Sequence, residues 1–99
     1  MTEPSNTAIV SLSYPLKRGT TSLDTITLRK PRVADLRGLA LSEVMQLKTD
    51  AVAVLLTRIS EPQLTRHEVD SLDILDFGTL AGEVIGFFLS PEAMDSLTT

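Results

Sequence analysis

The chain opens with an alternation. In "AIVSLSY", residues 8 to 14, Ala8, Val10, Leu12 and Tyr14 alternate with Ile9, Ser11 and Ser13, the period of a half-buried strand. "TSLDTITLR", residues 21 to 29, repeats the pattern with Ile26 and Leu28 on one face. The intervening "PLKRGTT" contains a glycine and reads as a hairpin loop. An isolated hairpin is marginal in water, so its apolar face must pack on the remainder of the chain.

Beyond the hairpin the period becomes helical. Pro31 ends the second strand because it cannot donate to a ladder, and Val33, Leu36 and Leu39 then have the spacing of a short helix. "SEVMQLKTD" reads either as a further helical turn or as an irregular connection, with Ser42 and Asp50 available as caps. Val52, Leu55, Leu56 and Ile59 fall at i, i+3, i+4 and i+7, a narrow stripe that ends near Pro62. Thr65 and Glu68 are spaced as a capping box for a helix over 66 to 71.

Asp73 heads a longer helix. Its charge opposes the positive end of the helix dipole. At about 100° per residue, Ile74, Phe77, Leu80, Ala81, Val84, Ile85, Phe87 and Phe88 cover nearly half of that helix, and Gly78, Gly82 and Gly86 form a bare ridge along its border. The order predicts an α+β fold: an N-terminal antiparallel β-hairpin followed by three to four α-helices packed on it. Residues 1 to 7 read as a flexible arm, 8 to 89 as a single domain and 90 to 99 as a polar tail.

The glycine ridge raises a question of purpose, because each glycine costs a helix interior roughly 1 kcal/mol relative to alanine. The spacing matches a membrane dimerisation face. However, the apolar stretch from Phe77 to Leu89 is short and contains Glu83, whereas a spanning helix needs about 20 apolar residues. No membrane role is expected. The remaining readings are internal packing on the helix at 50 to 60, or a surface on which a partner backbone lies close.

Composition narrows the options. Ninety-nine residues, 42% hydrophobic, suit one small domain. There is no cysteine, hence no disulfide framework or thiolate zinc site, and the N-terminus lacks the basic and apolar regions of a signal peptide, so a cytoplasmic location is expected. The net charge of −4 is uneven: residues 17 to 37 carry Lys17, Arg18, Arg29, Lys30, Arg32 and Arg37 against Asp24 and Asp35, a net of +4 that leaves −8 elsewhere. Such asymmetry can steer a partner or align copies head to tail.

Catalytic chemistry finds no support. The single histidine, His67, has no cysteine to pair with and reads as a surface side chain. Asp70, Asp73 and Asp76 lack the glycine and terminal glutamate of a calcium loop and read as caps and solvated charges. No glycine-rich loop joins a strand to a helix, so no phosphate cradle and no cofactor are expected. "LRKPR", residues 28 to 32, would suit a small DNA-binding regulator of a mobile element. Against that, the chain is acidic, no aromatic interleaves with the basic cluster, and the second helix of the would-be pair carries Glu68 and Asp70.

The strand exit "LRKPRVADL", with Leu28, Arg29, Pro31, Asp35 and Leu36, is followed by the helix "AVAVLLTRIS" and then by "VDSLDILDFGTLAGEVIGFFL", with Leu72, Asp73, Asp76 and Phe77. From about Ile9 to Leu89 this arrangement resembles the tail assembly chaperones of Mu-like and related contractile-tailed phages and prophages. The resemblance implies a non-enzymatic protein of the bacterial host cytoplasm, absent from the mature virion, that binds and shields the tape measure protein while the tail tube assembles. Oligomers are expected.

Patterning alone nominates Gly78, Gly82, Gly86, Phe87, Phe88, Arg29, Lys30 and Arg32 as partner-binding residues. Genes of this family also resemble one another in producing a longer product by ribosomal slippage. Phe88 and Leu89 can be encoded by a slippery run of thymidines, and an extension from there would reach another tail component such as the tube protein.

Overall fold

The computed structural model describes residues 7 to 88; the expected arm, apart from Thr7, and the tail at 90 to 99 lie outside them. Strands β1 (Thr7–Arg18) and β2 (Thr21–Arg29) form the hairpin. A 3-10 turn (Val33–Leu36), α1 (Leu41–Met45), α2 (Thr49–Ile59), β3 (Ser60–Glu61), α3 (Arg66–Asp70) and α4 (Ile74–Phe88) complete the order. The antiparallel sheet runs β1-β2-β3, with Leu28 opposite Ser60 and Thr27 opposite Glu61. The α+β expectation holds, and the short third strand is an addition to it.

The hairpin turn is tighter than the sequence suggests. Arg18 pairs with Thr21, so only Gly19 and Thr20 connect the strands, and Gly19 has a φ of +62°. A glycine in that region at the first of two turn positions suits the right-handed twist of the strands. The expected loop at 15 to 21 is therefore mostly strand. In its place β1 carries a bulge: Ser11 pairs with Thr25 and Leu16 with Leu23, so residues 12 to 15 face Asp24 alone. Pro15, which has no N–H to donate, marks the spot.

The core joins Val10, Leu12, Leu16, Ile26 and Leu28 of the hairpin to Val52, Leu55, Leu56 and Ile59 of α2, with Val44, Leu64, Val69, Leu80 and Val84 closing it. Helix α2 is the centre. It contacts α1, α3, the 3-10 turn and β2. Three expectations about the core fail at its border. Tyr14 is exposed because the bulge breaks the alternation that would place it beside Val10 and Leu12. Val33, 88% exposed, sits in a tight turn rather than on a helical stripe, and Ile74, 80% exposed, lies in the first turn of α4, about 160° around the helix from the buried Asp76.

Candidate functional site: the outer face of α4

Helix α4 is held against β1 by one carboxylate. Asp76 is buried, and its Oδ1 and Oδ2 accept the backbone N–H groups of Ser13 at 2.8 Å and Tyr14 at 2.9 Å. Both donors lie in the bulge, where four residues of β1 have only Asp24 of β2 opposite them and the regular pairing is interrupted. Backbone donors withdrawn from a ladder need another acceptor, and a buried carboxylate is tolerated only when hydrogen-bonded. Each requirement meets the other. This corrects the reading of Asp76 as a solvated charge. Asp73 behaves as read: its Oδ2 accepts the Leu75 N–H at 3.0 Å and its carbonyl accepts from Phe77.

With Asp76, Leu80, Ala81 and Val84 turned inward, the opposite side of α4 presents Ile74, Leu75, Gly78 and Gly82 to solvent, with Gly86 half-exposed further along. A Cβ added at Gly78, Gly82 or Gly86 would meet nothing within 4 Å. The ridge therefore does not serve close packing on α2, and α4 packs chiefly on β1. Phe87 and Phe88, nominated with the glycines, are half-buried and pack against the core.

The basic cluster lies elsewhere, at the exit of β2, and its members divide. Arg29 makes a two-pronged pair with Asp35, at 2.7 and 2.8 Å, and donates to the Arg58 carbonyl at 3.0 Å. Asp35 also accepts the Arg32 N–H at 2.8 Å. The Arg29 guanidinium, followed by that N–H, holds the Asp35 carboxyl down at about 2. Arg58 completes the corner by donating to the carbonyls of Asp35 and Arg37, both at 2.7 Å. Arg29 is thus committed within the chain. Lys30 and Arg32 are exposed and, with Thr7, Arg29 and Pro31, line a shallow open depression.

A second clasp joins the other end of the hairpin to α3. Glu68 and Thr65 form the expected capping box, with the Thr65 N–H donating to Glu68 at 3.0 Å and the Glu68 N–H donating to Thr65 Oγ1 at 3.1 Å. Glu68 also receives two bonds from Arg18, at 2.7 and 2.8 Å. The guanidinium is the larger cause holding the Glu68 carboxyl at about 2. Sequence reading missed this pairing because the partners are 50 residues apart.

Among the described residues there is no cluster of acidic or histidine side chains suited to a metal, and no helix is long and apolar enough to cross a membrane. What the geometry does offer is a bare helical face on α4. The chain belongs to the family of phage tail assembly chaperone proteins, E, or 41 or 14, whose model matches residues 10–89. It is 40% identical over 86 residues to tail assembly protein E of Escherichia phage P2, covering 87% of this chain and 93% of that relative. It is 38% identical over 82 residues to tail assembly protein E' of the same phage, covering 83% of this chain and 58% of that relative. No solved structure matches the chain.

Proposed function

We propose that this protein is a non-enzymatic tail assembly chaperone that binds the tape measure protein and shields it while the tail tube is built, acting in the cytoplasm of the bacterial host and leaving before the virion is complete. The observation that carries this reading is the outer face of α4, where Ile74 and Leu75 are exposed and the ridge at Gly78, Gly82 and Gly86 opens onto free space. A partner helix can lay its apolar stripe in such a groove, since the glycines let the two backbones approach closely. Lys30 and Arg32 would add long-range attraction to acidic surface on the partner. With Arg29 already paired to Asp35, the cluster is weaker as a phosphate site, and the DNA-binding alternative loses ground.

The match that takes in nearly all of protein E but only 58% of E' fits a family in which one domain occurs with and without a further segment. A frameshifted extension beyond α4 is the form that such a segment would take here, with the tail tube protein as its partner. The proposed slippage site includes Leu89, outside the described residues.

Co-expression with the tape measure protein of the same phage tests the central claim. The tagged chain should retain the tape measure protein, and Gly82→Leu should lose it while keeping or raising its thermal midpoint, because a Cβ there meets nothing and leucine favours a helix more than glycine does. Undiminished capture by Gly82→Leu would remove α4 from the interface.

A further inference from the structure

The ties that hold the hairpin to the first three helices bypass α4. Arg18 clasps Glu68 of α3, Arg29 clasps Asp35 and reaches the Arg58 carbonyl near the end of α2, and β3 pairs with β2. Helix α2 also packs on β2, the 3-10 turn, α1 and α3. Each of these ties would survive if α4 left.

The attachment of α4 is of a different kind. Its polar link is Asp76, which grips the two bulge amides, and its apolar link is one buried stripe, Leu80, Ala81 and Val84, with β1 as the principal neighbour. The helix is entered from α3 through three residues, Ser71, Leu72 and Asp73, so α4 can turn away while α3 stays clasped to Arg18. Nor would the helix persist alone. Gly78, Gly82 and Gly86 each disfavour it by roughly fivefold relative to alanine, and at 15 residues it has a length at which even alanine-rich helices are marginal in isolation. The seat on β1 therefore keeps α4 helical, and loss of that seat and loss of the helix coincide.

We infer that α4 is a strap that opens as one cooperative unit, unfolding from β1 while the hairpin, α1, α2 and α3 keep their native arrangement. Opening frees the Ser13 and Tyr14 amides, bares the part of β1 that α4 covers, and abolishes the glycine ridge, which exists only in the helical form. Segments that open separately are those with few enclosing neighbours. The strap has two positions whatever molecule meets the ridge, so the inference does not rest on the tape measure reading.

Hydrogen exchange of the full chain, followed amide by amide with and without low urea, tests the device. The Leu80, Ala81 and Val84 amides should be at least about tenfold less protected than those of Leu55 and Leu56, with a shallower urea dependence, because partial opening exposes less surface than global unfolding. The Ser13 and Tyr14 amides should exchange with the α4 set. Asp76→Asn should speed exchange in α4 by about tenfold or more. Gly78→Ala and Gly82→Ala should each slow it by up to about fivefold. Ile59→Val, a mild change in the buried stripe of α2, should speed exchange in α2 by about two- to tenfold and leave α4 unchanged, since an opening that keeps α2 native does not sense it. Equal protection and equal urea dependence in the two helices of the wild type would overturn the inference, as would an Ile59→Val that speeds both alike or an Asp76→Asn that leaves α4 unchanged.

Discussion

Helices α2 and α4 are built from similar apolar material and meet different fates. Ala51, Val52, Ala53, Leu55, Leu56 and Ile59 of α2 are all buried, because the sheet, the 3-10 turn, α1 and α3 surround it. Helix α4 is longer, yet it has essentially one neighbour, β1, and so it buries one side and leaves the other bare. Burial is decided by how many layers enclose a helix as much as by its composition. In a chain of this size there are elements enough to enclose one helix, and the surplus apolar surface of α4 stays exposed.

The sharpest way to break this comparison is to remove matching leucines from the two helices. Leu56→Ala should cost about 2–5 kcal/mol in urea denaturation, the range for a core cavity, whereas Leu75→Ala, on the exposed side, should stay within about 0.5 kcal/mol. Similar costs would mean that α4 is enclosed after all. The attachment of α4 should be the next most sensitive point. Asp76→Ala removes an acceptor from two backbone donors and should cost about 3 kcal/mol, with the Ser13 and Tyr14 amides losing protection from hydrogen exchange. Asp76→Asn, which keeps one acceptor oxygen, should fall between.

A smaller effect should separate the clasp beside α2 by its response to acid. Because Glu68 is held at about 2 in the fold against an ordinary value of 4.5, its contribution is present above that ordinary value and is lost as the pH falls toward 2. Thermal midpoints measured across this window should decline, and Glu68→Gln should flatten the part of the decline owed to this group. The smallest effect concerns the ridge. Gly82→Ala should raise stability by up to about 1 kcal/mol, since the methyl group meets nothing. Ala53→Gly, at a buried site in α2, should lower it by at least as much. A Gly82→Ala that destabilises the chain would show that the ridge is in contact.

Much of the fold was legible along the chain because its determinants are local: the alternation of β1 and β2, the stripe of α2, and the cap at Thr65 and Glu68 are each contained within a few turns of sequence. The glycine ridge was legible as a pattern. Its orientation was not, since a spacing of four is the same whether the ridge faces α2 or water. Long-range pairings stayed hidden for a related reason. Arg18 and Arg29 look alike as members of a basic segment, yet Arg29 clasps Asp35, six residues on, whereas Arg18 clasps Glu68, 50 residues away, and only the folded path of the hairpin brings that second pair within reach. Tyr14 was misplaced because Pro15 reads as the start of a loop, when in the fold it sits in a bulge within a longer strand.

That bulge sets a rule for what the family can vary. Asp76 reads two amide groups, and the donors of both bonds are main-chain N–H groups rather than the Ser13 or Tyr14 side chain. Side chains at those positions can therefore drift with little consequence for the joint, as long as each still supplies an N–H. The number of residues cannot drift. Adding or deleting one between Ser11 and Leu16 would turn the two amides away from the carboxylate and shift the apolar face of the strand. Among relatives, this segment should accordingly tolerate substitution and resist changes in length, the reverse of the usual behaviour of a surface connection.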